Sequence, residues 1–266
     1  MQTLTLSRPV SPQQVMASAP PKMTMAAAKA CDLFFARTTS AGWADEHERR
    51  AFAKAFVGIT STDGQRTAPK LPASNGNLQM IVTGWVYRAH LLANGARQIT
   101  DVLLPGDVLA SSEAASDAIE HEVCTCGPVQ LAMLRRDVVT APDSPLLRRW
   151  ELMRDAQAHR LRARLVCLGR RNARERIAYF MAEQHHRLHQ VGLAERQSFS
   201  CPFTQELLAD ILGLTSVHVN RVLQGLRSDG LLLCNRGQII IPEPARLRAV
   251  AGVFKSSAVE SFGQSL

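Results

Sequence analysis

The sequence contains no long apolar run. A helix that crosses a membrane needs about 20 consecutive, mostly apolar residues, and no stretch of this chain approaches that length. The first residues also lack the apolar stretch of a secretory signal peptide. We therefore expect a cytoplasmic protein without a membrane partner.

Cysteine is scarce and scattered, with 6 residues in a chain of 266. Domains held together by disulfides are shorter and denser in cysteine, so a disulfide framework is excluded. The sequence also lacks a Gly-x-Ser-x-Gly motif, a phosphate-binding loop with Gly-Lys-Ser/Thr, and a His-Glu-x-x-His motif. These absences argue against an enzyme, and we predict no cofactor and no metal ion.

Lysine is nearly absent from the second half of the chain, where the positive charge is concentrated. The net charge is +8, from 31 basic and 23 acidic residues. Residues 1–134 hold 11 of each sign, whereas residues 135–266 hold 20 basic and 12 acidic residues, and 19 of those 20 are arginine. Arginine suits bidentate recognition of phosphate. The excess predicts a polyanionic partner, with nucleic acid as the first candidate and a solvated arginine-rich helix as the alternative.

The length of the chain predicts about two domains. The first 25 residues contain four prolines and no periodicity, so we expect a flexible tail there. Strand signals dominate the first half of the chain and helix signals dominate the second. The predicted segments are a tail at 1–25, a β domain at 26–142, a long helix at 143–169, a second domain at 170–250 and a C-terminal tail at 251–266.

The strand signals begin at Leu78. Residues 78–92 are rich in β-branched and aromatic side chains, and residues 97–104 return as the partner strand. Asn94 and Gly95 between them favour a two-residue turn in which both positions have φ > 0. A further turn is expected at 104–107. This pattern predicts a small sandwich or barrel.

Other parts of the first half give weaker signals. Phe52 and Phe56 lie four residues apart, which predicts a short helix at 44–57. Residues 58–76 are dense in Gly, Pro, Ser, Thr and Asn and predict no element. Residues 122–134 predict a strand pair that turns at Gly127 and Pro128.

A long amphipathic helix is predicted after Pro145. Its apolar residues fall within an arc of about 120°, interrupted by polar side chains, which is typical of a seam between two subunits. Packing against the chain's own β domain is the alternative. Gly169 is expected to end this helix and act as a hinge before a second helix at 172–189 and a loop at 192–202. The predicted dimer seam comprises Leu146, Trp150, Met153, Gln157, Leu161, Leu165 and Leu168.

The stretch FTQELLADILGLTSVHVNRVLQGLRSDGLLL at residues 203–233 predicts a helix-turn-helix. Thr204 can cap a first helix, Gly213 can end it, and Thr215 can cap a second helix only two residues later. A β-hairpin wing follows, with Arg236 at its tip.

The second of these helices predicts a surface that reads DNA. Its apolar residues share one side, and the opposite side carries groups that can reach base edges in a major groove. The predicted base-reading residues are Ser216, Val217, Asn220 and Arg221. The predicted contacts to the DNA backbone or flanking positions are Thr204, Gln205, Thr215, His218, Gln224, Arg236, Arg170 and Arg171.

Over residues 78–250 the chain resembles the Crp/Fnr family of bacterial transcription regulators. The resemblance is carried by GWVYRAHLLANGARQITDVLLPGDVLA, LGRRNARERIAYFM and TQELLADILGLTSVHVNRVLQGLRSDGLL. It implies an α+β fold: an N-terminal β-roll of the cyclic-nucleotide-binding type (a jelly-roll-like double-stranded β-helix), a long dimerisation helix and a C-terminal winged helix-turn-helix. It also implies a homodimer on a palindromic operator in double-stranded DNA, with RNA polymerase as a candidate partner.

Three departures from the family qualify that resemblance. Ala110-Ser111-Ser112 stands where nucleotide-binding members have Gly-Glu-Leu, and Ile119-Glu120 stands where they have Arg-Ser, so cyclic-nucleotide binding is not expected. Cys31 is alone before Cys124, so the ligands of the iron–sulfur branch are missing. Val217 replaces a common glutamate, so a borrowed operator sequence does not transfer.

The sequence thus predicts a homodimeric, sequence-specific transcription regulator. One alternative keeps this fold but adds a sensor of an effector or of redox state, using the β domain or Cys124 and Cys126. The simpler interpretation of those two cysteines is a pair of small half-buried residues. A DNA-packaging protein without sequence preference is disfavoured by the base-reading helix face.

Overall fold

The computed structural model describes residues 23–62, 74–109 and 122–252. An antiparallel sheet with short helices comes first, a long helix follows, and a small helical domain with its own sheet ends the described chain. The predicted α+β architecture is confirmed. No helix in these ranges is long and apolar enough to cross a membrane.

In its described residues, the first domain contains a five-stranded antiparallel sheet. The strands lie in the order β1, β5, β2, β3, and β4 pairs with β2. The elements are α1 (Met25–Ala36), a 3-10 turn (Thr39–Ala41), α2 (Glu46–Ala55), β1 (Phe56–Thr62), β2 (Leu78–Leu91), β3 (Arg97–Leu103), β4 (Val108–Leu109), β5 (Glu122–Leu134) and α3 (Arg136–Val139).

Two strand predictions for this domain were wrong. β1 begins at Phe56, inside the helix predicted at 44–57, which ends at Ala55 instead. It continues to Thr62, where no element was predicted, because its Val, Ile and Thr residues are interrupted by Gly58 at a register shift. β5 is one continuous strand, not a pair, since Gly127 has φ +86° and bends the strand without ending it. Pro128, which cannot donate a backbone hydrogen bond, lies at the resulting bulge between the pairs Trp85–Cys126 and Thr83–Gln130.

The turn between β2 and β3 also differs from the prediction. Only Gly95 has a positive φ, +81°, so the loop is not the two-residue type. Leu92 N–H donates to the Ala96 carbonyl at 2.8 Å, and Ala96 N–H donates to Asn94 Oδ1 at 3.0 Å. Asn94 therefore stabilises the turn through its side chain, and the loop is longer than the two-residue turn that the Asn94-Gly95 dipeptide predicts.

The long helix α4 (Leu147–Arg170) continues through Gly169, so the predicted break at that residue was wrong. A single glycine costs a helix only about 1 kcal/mol, which neighbouring turns offset. The chain turns at Arg171 and Asn172 instead. Asn172 accepts from Glu175 N–H at 3.0 Å while the Glu175 carboxylate accepts from Asn172 N–H at 2.9 Å. This capping box starts α5 (Ala173–Gln190).

The C-terminal domain consists of α5 and a winged helix-turn-helix. Its sheet has the order β6, β8, β7, and β6 lies in the segment that had been predicted as a loop. The remaining elements are β6 (Ser198–Ser200), α6 (Gln205–Leu212), α7 (Ser216–Ser228), β7 (Leu233–Asn235), β8 (Gln238–Ile240) and α8 (Pro244–Val250).

The two domains share one hydrophobic core. Trp85 of β2 meets Phe203, just before α6, edge to face with ring centroids 5.1 Å apart. Phe180 of α5 lies 6.1 Å from the same Phe203 ring. The C-terminal domain is therefore packed directly against the first sheet in addition to its covalent link through α4.

A buried carboxylate reinforces this contact. Asp107 lies in the turn before β4 and accepts a hydrogen bond from Leu104 N–H at 2.7 Å. The guanidinium groups of Arg37 (after α1), Arg160 (α4) and Arg187 (α5) surround it. Burial alone would raise the pKa of Asp107, but the three guanidinium groups outweigh it and hold that pKa well below its usual value. One acidic side chain thus joins the β domain to three helices.

Candidate nucleic-acid interface

The helix-turn-helix forms as the capping residues predicted. Thr204 Oγ1 accepts from Leu207 N–H at 3.2 Å, and Thr215 Oγ1 accepts from His218 N–H at 3.2 Å. Gly213 has φ +62° and ψ +44°, the left-handed conformation that favours glycine at the end of α6. The two helices therefore start and stop where the sequence dictates.

The second helix, α7, has one buried side and one exposed side. Val219, Leu223 and Leu226 are buried in the shared core. The opposite side carries polar groups, and the helix N-terminus lies among them, where unpaired backbone N–H groups favour an anion. The same side chains that fix the helix to the domain thus leave its other face open.

The predicted base-reading residues lie together on this open face. Val217 is 68% exposed and Arg221 is exposed, whereas Ser216 and Asn220 are half-buried. Arg221 makes no hydrogen bond or ion pair with any residue that the structure describes. Asn220 Oδ1 accepts from Gln205 Nε2 at 3.2 Å, so the start of α6 orients that amide.

The predicted flanking residues surround this group on two elements. His218 and Gln224 are exposed on α7. The oxygens of Thr204 and Thr215 accept the capping bonds described above, and their hydroxyl hydrogens can still donate outward. Thr204 and Thr215 are both exposed.

The wing is a hairpin between β7 and β8. Asn235 pairs with Gln238, and the two residues between them, Arg236 and Gly237, have φ +45° and +80°. Both positions of this two-residue turn have φ > 0. The sequence predicts such a turn at Asn94 and Gly95, but the structure has it here. The turn holds the Arg236 side chain, which is exposed, at the tip of the wing.

The two hinge arginines differ from each other. Arg170 is exposed at the end of α4. Arg171 is half-buried, and its guanidinium carbon lies 4.2 Å from the centroid of the Tyr179 ring. Stacking of this kind engages Arg171 within the chain, so Arg170 is the freer of the two.

Sequence reasoning missed the residues that hold the helix-turn-helix in place. Arg97 of β3 makes a forked ion pair with Asp210 of α6, at 2.8 and 2.6 Å, and Gln98 Nε2 donates to the Asp210 carbonyl at 2.7 Å. Arg176 donates to the carbonyls of Leu168 and Leu212 at 2.7 and 3.0 Å. No sequence signal identifies these pairs, because each joins residues that are far apart or on different elements.

The predicted dimer seam divides into two parts along α4. Leu146 and Trp150 are buried against the chain's own first domain, with Met153 at the edge of the same cluster. Gln157 Nε2 donates to Asp101 Oδ2 of β3 at 3.0 Å. These four residues therefore pack against the chain's own β domain, which was the alternative to a subunit seam.

The second part of the predicted seam faces outward. Leu161 is 39% exposed and Leu165 is 72% exposed, and Val166 beside them is 56% exposed. Leu168 is half-buried. Large apolar side chains in this row remain uncovered within the chain.

The two cysteines of β5 lie in a packed environment. Cys124 is buried and Cys126 half-buried, and the Cys126 thiol lies 3.6 Å from the Pro202 carbonyl oxygen. Burial raises the pKa of the Cys124 thiol. A raised pKa lowers the fraction of reactive thiolate, which fits a packing role. The predicted differences from the nucleotide-binding cassette, at 110–112 and 119–120, lie outside the described residues.

Comparison with known proteins places this geometry in a family. Residues 175–250 match the family model of the Crp-like helix-turn-helix domain. The nitrogen fixation regulation protein FixK of Bradyrhizobium diazoefficiens is 32% identical over 166 residues, which are 60% of this chain and 68% of FixK. The chain belongs to the Crp/Fnr family. It is a DNA-binding transcription regulator of the Crp/Fnr type.

Further Crp/Fnr relatives agree with this assignment. The transcriptional activator protein FnrL of Cereibacter sphaeroides is 28% identical over 180 residues, 65% of this chain and 71% of FnrL. The structure of FixK2 from Bradyrhizobium japonicum superposes with a TM-score of 0.60, covering 74% of this chain and 98% of that one at 24% identity. That likeness shows the common fold. The relatives are regulators, a class of proteins that are generally not enzymes.

Proposed function

We propose that this Crp/Fnr regulator acts as a homodimer that reads an inverted-repeat operator through the first turns of α7. The observation that carries the proposal is the open face of α7, on which Arg221 is exposed and has no partner among the described residues. An unpaired arginine on a recognition helix can bind DNA without first breaking an internal bond. Two copies related by a two-fold axis would place their recognition helices about one DNA turn, roughly 34 Å, apart.

Each base-reading residue has a chemical role in this proposal. Arg221 donates two hydrogen bonds to O6 and N7 of a guanine. Asn220, already oriented by Gln205, pairs with an adenine, and Ser216 donates to either base. Val217 contacts a thymine methyl group. An acidic side chain at this position would make that apolar contact less favourable.

The remaining residues fix the position of the protein on the duplex. Arg236 reaches a phosphate from the wing tip, and Arg170 reaches one from the end of α4. Arg171, stacked on Tyr179, contributes less. The polar groups near the two helix starts, together with one group farther along α7, complete the phosphate contacts: Thr204, Gln205, Thr215 and His218, and Gln224.

The dimer forms along the exposed part of α4. Leu161, Leu165 and Leu168 repeat at spacings of four and three residues, the repeat of a two-stranded coiled coil. We accordingly assign residues 26–142 to the β domain, 143–170 to the dimerisation helix and 171–250 to the DNA-binding domain. Leu165→Asp should convert the dimer to a monomer in analytical ultracentrifugation and abolish tight operator binding.

Base reading is tested by selecting bound sequences from a random DNA pool and then comparing two arginines of α7. Arg221→Ala should weaken binding to the selected operator by about 1–3 kcal/mol and relax the preference at one base pair of each half-site. Arg227→Ala is the matched control, because Arg227 is exposed in the last turn of the same helix. Equal losses for the two variants, or selected sequences without two-fold symmetry, would refute the proposal.

Two further expectations follow from operator binding. A regulator of chromosomal genes works in the cytoplasm of a bacterial cell. RNA polymerase is its expected partner when the operator lies beside a promoter, which in vitro transcription with and without the protein would test. The raised pKa of Cys124 gives the redox-sensing alternative no support.

A further inference from the structure

The end of α1 reaches the DNA-binding domain. Arg37 follows α1 directly, and its side chain is 6% exposed. Its guanidinium donates to the Pro105 carbonyl at 3.1 and 2.8 Å and to the Arg187 carbonyl at 2.6 Å. Pro105 lies in the turn before β4, whereas Arg187 lies in the last turn of α5. One side chain thus joins α1, the first sheet and the DNA-binding domain.

The Arg187 carbonyl is available to Arg37 because it lies at the end of a helix. Carbonyls in the last turn have no N–H group ahead of them within the helix. Val191 N–H, which lies four residues after Arg187, donates to the Leu188 carbonyl at 3.2 Å instead. Arg37 supplies the missing donor, and its positive charge is favourable at the carbonyl end of a helix. The first domain therefore provides a cap for a helix of the second.

Close packing holds the Arg37 side chain in this position. α1 is fixed on the first domain, because Leu33 and Phe34 are buried in a cluster that also contains residues of β2 and β5. A Cβ atom on Gly106, whose φ is +89°, would lie 2.6 Å from Arg37 Cγ, so a glycine is needed where the arginine passes. Val191, directly after α5, packs against the same cluster. The end of α5 is thus held by an apolar contact and by hydrogen bonds.

The position of α5 determines the position of the recognition helix. Phe180 of α5 belongs to the same buried cluster as Val219 and Leu223 of α7, so the two helices move together. The contacts that hold α5 on the first domain leave Arg221 of α7 exposed. The docked position is therefore one in which the base-reading face is free to meet DNA.

We propose that Arg37 is a positioning residue, which fixes the angle of the DNA-binding domain on the first domain and with it the half-site spacing that the dimer accepts. The inference rests on the proposed homodimer and its operator. Arg37 precedes residues 78–250, over which the chain resembles the Crp/Fnr family, so the resemblance does not imply this contact. Domains that are aligned before binding lose less rotational freedom on the DNA. Arg37 should therefore favour one spacing over the others.

Operators with altered spacing test this role. Adding or removing one base pair between the half-sites of the selected operator turns one half-site by about 35° relative to the other. The parent should bind these two DNAs about tenfold more weakly than the selected operator. Arg37→Met removes every donor but keeps the apolar stem. It should bind the selected operator about fivefold more weakly than the parent, and its penalty for altered spacing should fall to about twofold.

Two controls separate positioning from stability. Arg149→Met is the matched variant, because Arg149 is also buried but donates to Glu48 and Thr38 within the first domain. It should unfold at lower urea concentration and keep the parent spacing penalty. A DNA with a single half-site should bind the parent and Arg37→Met equally within about twofold, since one recognition helix needs no alignment with another. Amide hydrogen exchange at 188–193 should be faster in Arg37→Met than in Arg149→Met.

Arg37→Lys keeps the inference testable where Arg37→Met does not fold. Lysine retains the buried charge, but its ammonium lacks the planar fork that reaches two carbonyls at once, so an intermediate spacing penalty is expected. A parent-like penalty in Arg37→Met, or in Arg37→Lys where Arg37→Met does not fold, would overturn the inference and leave the operator-binding dimer intact. An equal loss of the penalty in Arg149→Met would also overturn it. Selected DNA without two-fold symmetry would refute the proposed function, and this inference with it.

Discussion

Two regions of this regulator use arginine in opposite ways. Where α4 begins, against the first domain, Arg149 is 2% exposed and donates to the Glu48 carboxylate at 2.6 and 2.8 Å, to the carbonyls of Thr38 and Gly42, and to the Thr38 hydroxyl. On α7, Arg221 is exposed and has no partner among the described residues. Arginine is therefore held by several internal hydrogen bonds in one region and open to solvent in the other.

The difference follows from the cost of removing charge from water. A buried guanidinium must find partners for its N–H groups, or its desolvation is not repaid. Arg149 meets that condition by joining the start of α4 to the segment between α1 and α2. An exposed guanidinium stays hydrated, and it can exchange water and counterions for phosphate or base contacts when DNA arrives. The net charge of +8 thus overstates the charge available to DNA.

The largest expected effect is the loss of the buried carboxylate at the centre of the first region. Asp107→Ala would leave Arg37 and Arg187, whose side chains are 6% and 5% exposed, without their common counter-charge. Removing one partner of a buried ion pair costs about 3–5 kcal/mol, so we expect the free energy of unfolding in urea to fall by that amount. Asp229→Ala is the control, because its pair with Arg174 is exposed, and it should cost less than about 1 kcal/mol. Similar losses for both variants would contradict the distinction.

The same carboxylate predicts how stability depends on acid. Because the pKa of Asp107 is lower in the folded chain than its ordinary value of 3.8, its contribution is present above that pH. The contribution is lost as the pH falls below 3.8 toward the folded pKa. Asp107→Asn should therefore lose less stability than the parent between pH 4 and pH 2, which urea titrations at several pH values would measure. A parallel decline in both proteins would contradict this assignment.

A smaller effect is expected from exchanging arginine for lysine in each region. Arg149→Lys keeps the charge but provides three donors in place of five, so we expect a loss of about 1–3 kcal/mol in unfolding free energy. Arg221→Lys should leave stability within about 0.5 kcal/mol of the parent while weakening binding to the selected operator. Operator binding per folded molecule should be unchanged in Arg149→Lys. The distinction between the two regions would be contradicted if both substitutions changed the unfolding free energy and operator binding by the same amounts.

The sequence predicted the DNA-binding region better than the region around Asp107. Thr204, Gly213 and Thr215 form their capping hydrogen bonds with residues only three or four positions away, so the sequence alone predicts their roles. The confirmed architecture followed from these local signals and from the strand patterns. Local signals also explain why α6 and α7 begin and end where expected.

The errors arose where distant contacts override local preference. Gly169 has a weak tendency to end a helix, but α4 continues to Arg170, and the capping box at Asn172 then starts α5. Leu146 and Trp150 belong to an apolar stripe on α4. Periodicity predicts that such a stripe is buried, but it does not tell whether the chain's own first domain or a second chain covers it. Two partners of Asp107 are distant from it in the sequence: Arg160 of α4 is 53 residues away and Arg187 of α5 is 80 residues away. No spacing rule connects residues so far apart.

The smallest expected effect concerns a pair that lies between the two classes. The side chains of Arg97 and Asp210, which join β3 to α6, are 36% and 26% exposed. Partial exposure lets solvent weaken their attraction, so Arg97→Gln should cost only about 0.5–1 kcal/mol in urea unfolding at low salt. The loss should shrink as salt is raised from 0.05 to 0.5 M, because dissolved ions screen the attraction between these partly exposed charges. A salt-independent loss above about 2 kcal/mol would mean that this contact behaves like the buried pairs, and that β3 holds the helix-turn-helix as firmly as Asp107 holds α5.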